Sequence, residues 1–355
     1  MKIAIDISPL KTGRFLQHRV RGTGFYIENL KNALIKYYPE NKYIFFVRGE
    51  KLPKDVDLVH YPYFEPFFLA LPLFMKQKIV VTVHDLTPLV FSDYFPKGIK
   101  GEIKWRIQRY LLQKADAVIA DSKCSKGDII KYAGISDTKV NVVYLAAGEE
   151  FHRIQNLRKK YNLPEKFVLY VGDVTWNKNL PRLIEGIKKT DAPLLMVGKA
   201  LAEEDFDRGN FWNKDLAQVQ NMIKNQKSKL KNQITTLGFI PQEDLIALYN
   251  LATIFVMPSL YEGFGLPVLE AMSCGCPVIT TKEGSMPEVA GDAAFYVNAY
   301  DIDSIKNGIE KVFNDEKLQK ELSEKGMIQS KKFSWEKTAQ ETIKVYQKVA
   351  RGTII

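Results

Sequence analysis

Short apolar runs rich in β-branched residues recur along this chain, separated by stretches of helical spacing. In the first half they fall at Lys2–Ile7, Tyr43–Val47, Leu58–Tyr61, Ile79–His84, Ala117–Ala120 and Asn141–Tyr144. In the second half they fall at Phe167–Val171, Leu194–Val197, Ile234–Leu237, Ile254–Met257, Pro277–Thr280 and Ala294–Tyr296. Strands of a parallel sheet are covered by helices on both faces, so they read as continuous hydrophobic runs rather than as alternation. Ile27, Leu30, Leu34 and Ile35 recur at helical spacing and predict a helix over Gly24–Tyr38. The pattern predicts an α/β protein of two doubly wound, Rossmann-like domains, whose sheets would face one another across a ligand-binding cleft.

The stretch 148–165 is polar and weakly periodic, which marks a boundary. The expected domains are therefore 1–160 and 161–334, with 335–355 forming a terminal helix that packs back toward the first domain. Ser334 is the expected N-cap of that helix. A long polar helix is expected over Leu216–Lys231, with Lys224, Lys227, Lys229 and Lys231 on a solvated face. No internal repeat is evident.

Composition narrows the class. With 355 residues, 46% hydrophobic and 26% charged, the chain is ordinary globular material, neither disordered nor fibrous. Its longest apolar run, Pro66–Met75, is about half the roughly 20 residues that a membrane span requires. The opening KIAIDISPL lacks the apolar region and cleavage site of a secretory signal, so the expected location is cytoplasmic. Cys124, Cys274 and Cys276 form no paired spacing and are expected to be buried thiols. The net charge of +10 lies wholly in residues 1–165, with 27 Lys+Arg against 17 Asp+Glu, whereas residues 166–355 carry 24 of each. Such asymmetry suits either an acidic partner for the first half or a plain solubility surface. Within that half, Tyr94–Lys114 mixes Lys97, Lys100, Lys104, Arg106, Arg109 and Lys114 with apolar positions, as a membrane-surface helix or a partly buried domain helix would. An anionic membrane face is accordingly a candidate partner, and nucleic acid is not.

Candidate chemistry concentrates in few places. No GxGxxG follows a predicted strand, and no Walker A motif occurs. The loop Ser8–Thr23 is long and basic, and Gly22-Thr23-Gly24 at its end would open the first helix; its amides could meet an anion, or the segment is a surface turn. The most distinctive stretch is Pro258–Thr280, PSLYEGFGLPVLEAMSCGCPVIT. There Gly263 and Gly265 permit close backbone approach, and Pro267 starts a helix that carries Glu270 about one turn in. A glycine-lined helix start attracts phosphate, which leaves Glu270 placed for a ribose and Glu262 for a sugar hydroxyl. Asp55-Val56-Asp57 and Asp301-Ile302-Asp303 each spell DxD, but the first precedes a strand and the second sits in a turn, so no metal site is expected.

The segment E-G-F-G-L-P-V-L-E-A-M resembles the E-x7-E mark of the retaining glycosyltransferases of the GT-B fold, group one, also called family four. The resemblance runs over most of the chain: the basic glycine loop, His84 after a strand, Asp121-Ser122 after the next, and Gly172 with Lys178 stand in the expected order. It implies donor contacts from Gly22, Gly24, Gly172, Gly263, Phe264, Gly265, Leu266 and Glu270, and catalytic roles for His84, Lys178 and Glu262. Lys178 would neutralise the diphosphate leaving group. The arginine that many relatives add is missing, since Asp173 follows Gly172 and Asn177 precedes Lys178; Arg182 is the candidate substitute. Glu288 in SMPEVAG matches a further segment, as donor contact or as cap.

The resemblance further implies a metal-independent, retaining transfer of a hexosyl unit, with mannose as the candidate, from a nucleotide-diphosphate sugar to a glycan or lipid-linked saccharide, without any other cofactor. The alternatives are a nucleotide-sugar 2-epimerase of the same fold and a noncatalytic nucleotide-sugar binding module.

Overall fold

The structure is a computed structural model that describes residues 1–11, 20–74, 76–154, 163–224 and 233–352, apart from the side chains of residues 20 and 21. The chain divides into two units, Met1–Ala146 with Phe333–Ile355, and Ala147–Lys332. The second unit is thus inserted into the chain of the first, and the stretch 147–154 belongs to it.

The first unit holds strands β1 (Lys2–Asp6), β2 (Lys42–Phe46), β3 (Leu58–Tyr61), β4 (Ile79–Val83), β5 (Ala117–Ala120) and β6 (Val140–Val142). Its helices are α1 (Val20–Tyr37), α2 (Thr87–Val90), α3 (Gly98–Lys114) and α4 (Lys123–Asp128). The strands form one six-stranded sheet in the order β2-β1-β3-β4-β5-β6. Every pairing is parallel. Strands β3, β4 and β5 are buried at every residue, which is why they read as unbroken apolar runs.

The second unit holds β7 (Val168–Val171), β8 (Leu194–Val197), β9 (Ile234–Leu237), β10 (Ile254–Met257), β11 (Val278–Thr281) and β12 (Ala294–Val297). Its helices are α5 (Leu180–Lys188), α6 (Lys214–Lys224), α7 (Gln242–Leu251), α8 (Leu266–Ser273), α9 (Met286–Ala290), α10 (Ile302–Phe313) and α11 (Glu316–Ser330). This sheet is also parallel and runs β12-β11-β10-β7-β8-β9. Its order reverses between β7 and β10, the switch point at which open α/β sheets accept ligands. In the first sheet the reversal lies between β1 and β3 instead.

The last helix, α12 (Trp335–Arg351), belongs to the first unit. Ser334 caps it by accepting a hydrogen bond from the Lys337 amide at 3.2 Å. Ala339, Ile343 and Tyr346, spaced four and three apart, are buried. At its far end the Lys78 ammonium donates to the carbonyls of Val349 and Ala350 at 3.0 and 2.9 Å, satisfying groups that a helix terminus leaves open. Tyr346 Oη lies 2.7 Å from His60 Nδ1, His60 Nε2 lies 2.8 Å from Thr82 Oγ1, and Tyr26 Oη lies 3.1 Å from the same Thr82 oxygen. A buried polar chain therefore crosses α12, β3, β4 and α1. Burial drives the His60 pKa down to about 3, so its imidazole is neutral within the chain.

One expectation about helices changes, and another runs beyond the described residues. Helix α1 begins at Val20, so Gly22 and Gly24 lie inside its first turns rather than opening it, with Gly22 exposed and Gly24 buried. The basic loop before it lies, over residues 12–19, outside the described residues. Helix α6 is described only as far as Lys224, and Lys227, Lys229 and Lys231 lie outside the described residues. Among the described residues no helix is long and apolar enough to cross a membrane.

Candidate active site

In the second unit, the loops that follow β7 and β10 meet at the switch point. The loop after β10 carries Glu262, and its carboxylate accepts from the Lys178 ammonium at 2.7 Å on Oε1 and 2.9 Å on Oε2. Ser259 donates a third hydrogen bond to Oε1 at 2.7 Å. Glu262 is buried, and a buried carboxylate persists only when paired and hydrogen-bonded in this way.

The Lys178 loop is locked to the strand ends by its two flanking asparagines. Asn177 accepts from the Leu260 amide through its carbonyl at 2.7 Å and donates from Nδ2 to the Tyr261 carbonyl at 3.0 Å. Asn179 adopts a left-handed backbone, φ +60°, and donates to the carbonyls of Pro258 and Ala299 at 2.9 and 2.7 Å. Asn177 thus holds the Glu262 loop where many relatives were expected to carry an arginine. Arg182 is half-buried; its guanidinium donates to Asn179 Oδ1 at 2.9 Å and sits over the Tyr300 ring at 5.9 Å. Gly172 follows β7 and donates its amide to the Val197 carbonyl; a Cβ there would come within 2.7 Å of Tyr170 Oη.

The turn from Glu262 into α8 depends on glycine. Gly265 stands before the helix at φ +99°, a left-handed value that side chains rarely adopt. Gly284, at φ +60°, lets the next loop approach so closely that a Cβ would come within 2.7 Å of the Glu262 carbonyl oxygen. Ser285 then donates to the carbonyls of Glu262 and Phe264 at 3.0 and 2.8 Å. Gly263, Phe264 and Gly265 are buried and Leu266, the first residue of α8, is half-buried.

One turn into α8, Glu270 is buried and accepts from the Tyr249 hydroxyl at 2.9 Å. Burial is the main reason that its pKa is pushed up to about 7, with the Glu150 charge adding to it and the Tyr249 hydrogen bond opposing. Nearby, Cys274 and Cys276 are buried, and burial pushes the Cys274 thiol up to about 12. Cys124 is only half-buried, unlike the buried thiol expected there. Glu288 lies in the first turn of α9, half-buried.

In the first unit, His84 directly follows β4 and Asp121 directly follows β5. His84 Nδ1 and Asp121 Oδ2 lie 2.7 Å apart, and Ser125 Oγ donates to the His84 carbonyl at 2.9 Å. The Tyr26 ring meets the imidazole edge-on, centroids 4.8 Å apart. Burial acts to lower the His84 pKa, but the Asp121 charge and hydrogen bond outweigh it and hold it above the ordinary histidine value. Burial also raises Asp121, against the His84 charge. The short contact couples the two groups, and its net effect on the imidazole is a raised His84 pKa. His84 Nε2 and Asp121 Oδ1 are buried and have no hydrogen-bond partner among the described residues. Such orphaned atoms are expected where a ligand supplies the missing partner.

Both DxD sequences are taken up locally. Lys2 pairs with Asp55 and donates its amide to Asp57, Asp301 caps α10, and Lys189 pairs with Asp303. Asp121 and Asn177 were noted in the sequence by position but given no role, and Asn179, Tyr249, Ser259 and Ser285 were not singled out. Of these four, Asn179 left a local signal, an asparagine set directly before a Leu-Pro helix start.

Two protein families match this chain: Glycosyl transferases group 1 over residues 153–329 and Glycosyltransferase Family 4 over residues 9–147. A similar curated protein is the serotype-specific mannosyltransferase WbdA of Escherichia coli, 33% identical over 293 residues, which cover 78% of this chain and 34% of WbdA. The chain thus spans about a third of the length of WbdA. The O-antigen chain mannosyltransferase B of Escherichia coli is 30% identical over 76% of this chain and 70% of its own length. Among solved structures, sucrose-phosphate synthase from Thermosynechococcus elongatus superposes with a TM-score of 0.78 at 18% identity, over 99% of this chain and 100% of the synthase.

Proposed function

This chain belongs to the group 1, family 4 glycosyl transferases, and on that premise we propose that it moves a hexosyl unit, mannosyl by analogy with its relatives, from a nucleoside-diphosphate sugar to a glycan or lipid-linked saccharide. The observation that carries this reading is the bidentate Lys178–Glu262 pair at the switch point of the second sheet, beside the glycine-led start of α8.

In this reading the donor diphosphate lies at the amino end of α8, against Gly263, Phe264, Gly265 and Leu266. Glu270 grips the ribose and Glu262 the sugar hydroxyls. Lys178 neutralises the charge that develops as the diphosphate departs, and Arg182 and Gly172 flank the same loop. A fixed cation aimed at a leaving group contributes on the order of a hundredfold or more to turnover. The bond from the anomeric carbon to the phosphate oxygen breaks, the acceptor oxygen bonds to that carbon on the same face, and its proton passes to the departing phosphate. The configuration is thereby retained and the lysine takes the place of a metal. By the same resemblance His84 contacts the transferred sugar, and Gly22 and Gly24 are assigned to donor contact.

The test is incubation with a panel of nucleoside-diphosphate hexoses and a saccharide acceptor in the presence of EDTA, with the product configuration read by NMR. Transfer that persists in EDTA and keeps the donor configuration is the expected result. An inverted product, or transfer that stops in EDTA, overturns the mechanism. An epimer formed without acceptor assigns the epimerase reading, and donor binding without any transfer assigns the binding module.

A further inference from the structure

Among the described residues, the first unit exposes nine large hydrophobic side chains, and eight of them fall between residues 68 and 110. Seven of these eight form two strips. One is the connector from Phe68 to Phe74, where Phe74 is 87% exposed and Phe68, Leu69 and Leu73 are exposed with it. The other runs along α3, where Ile99, Ile103 and Tyr110 share one face and Ile99 is 83% exposed. The strips adjoin at Lys104, whose ammonium sits over the Phe68 ring at 5.4 Å.

The connector is held firmly at its base. Arg48, anchored to Asp6 at 3.0 Å, donates to the Leu69 carbonyl at 3.1 Å and to the Ala70 carbonyl. Gln108 of α3 accepts from the amides of Ala70 and Leu71 at 2.8 and 2.9 Å. The carbonyls of Leu69 and Ala70 and the amides of Ala70 and Leu71 are therefore already satisfied, so the base from which the apolar side chains project needs little ordering before they insert elsewhere.

Charge identifies the occupant. Residues 94–114 carry six Lys+Arg against the single acid Glu102, which Lys97 and Arg106 already neutralise at 2.6 and 2.8 Å. Residues 66–78 contain no acid. A second copy of this chain would set like charges against like across such a face, whereas an anionic bilayer accepts both parts of it. The apolar tips enter the acyl boundary, lysine stems lie along them with their ammonium groups among the headgroup phosphates, and tyrosines favour the same level.

We propose that the first unit seats on an anionic lipid bilayer through the 68–74 connector and the exposed stripe of α3, with Lys100 and Lys104 engaging the headgroups. This reading does not depend on the chemistry assigned to the second unit. The test is cosedimentation of the full chain with phosphatidylcholine vesicles, with and without phosphatidylglycerol, at low and high salt. Two double variants accompany it, Leu73→Ser/Phe74→Ser and Lys100→Glu/Lys104→Glu, with thermal melts confirming that each is folded. The expected result is binding to the phosphatidylglycerol vesicles alone and its loss at high salt. The lysine double variant should weaken it by at least about thirtyfold, since each lysine near such a surface contributes about a factor of five. The serine double variant should weaken it even at low salt. Absence of binding at low salt, or equal binding by both double variants and the parent chain, overturns the proposal. So does concentration-dependent self-association that Leu73→Ser/Phe74→Ser abolishes, which would assign the face to a second copy.

Discussion

Each unit places an acid beside a base at the carboxyl edge of a six-stranded parallel sheet, yet the two pairs are completed differently. In the second unit Lys178 reaches both oxygens of Glu262 and Ser259 adds a third contact, at the point where the strand order reverses. In the first unit His84 and Asp121 share one short contact beyond β4 and β5, away from the reversal, and each keeps a buried atom without a partner among the described residues. A pair whose bonds are closed is a fixed electrostatic element that a ligand meets ready-made. A pair with open atoms keeps hydrogen-bonding capacity that a ligand can take up. The difference teaches that the same sheet edge can offer a rigid charge or a responsive one, and that the bonding partners around the pair decide which.

Breaking the closed pair should give the largest effect. Lys178→Met leaves the Glu262 carboxylate buried without its cation, which should cost about 3–5 kcal/mol in a denaturant titration. On the proposed reaction it should lower turnover by about 10²–10³. Lys178→Met/Glu262→Gln should recover most of the stability and none of the turnover; a double variant as unstable as the single one would show that the two residues are not coupled.

Glu270 tests whether an acid of the second unit outside that closed pair behaves differently. Its folded pKa, about 7, lies above the ordinary glutamate value, so the folded chain binds the extra proton between the two. Stability should therefore fall as pH rises from about 4.5 toward 7, and the full cost, about 3 kcal/mol, should stand above that range. Glu270→Gln should remove the slope, raise the melting temperature at pH 8, leave it unchanged at pH 4, and abolish the stabilisation that a nucleoside diphosphate gives.

The responsive pair is sharpened by Asp121→Asn. Without the carboxylate, burial is opposed only by the Asp85 charge and the Pro62 backbone, so an NMR titration of the ring should show its pKa falling from the raised value of the parent chain. In the parent chain the raised folded pKa means that the pair's contribution is fully present below the ordinary histidine range and is lost as pH rises through the folded value. Losing that charge-assisted hydrogen bond should cost about 2 kcal/mol at pH 5.5 and less at pH 8.5. Smallest is Tyr346→Phe, which takes a hydroxyl from His60 in the chain that ends at Tyr26 beside His84. A loss of about 1 kcal/mol is expected, with the His84 titration unchanged.

Among the described residues all twelve strands were legible in the sequence: inner strands such as β10 because burial on both faces leaves a continuous apolar run, and the partly exposed β2 and β9 through their aromatic and β-branched residues. The Glu262 to Glu270 segment was equally legible, since the left-handed Gly265 and Pro267 act within a few residues of their own positions. The partners of those acids were not. Asn177 grips Tyr261 and Lys178 grips Glu262 across 84 residues of chain, and Asp121 reaches His84 across 37. Pairing at such separations is decided by strand order, which hydrophobic pattern does not encode. The start of α1 was misplaced for a local reason: two glycines read as a turn, although tertiary packing can hold glycine within a helix at a cost of about 1 kcal/mol each.

The return of α12 to the first sheet has a further consequence for how the protein is made. The His60 imidazole waits for Tyr346, 286 residues further along the chain, so the early part of the first unit leaves the ribosome with part of its interior unclosed. Meanwhile the inserted half emerges complete and can fold first, reversing the usual order in which the earliest sequence settles earliest.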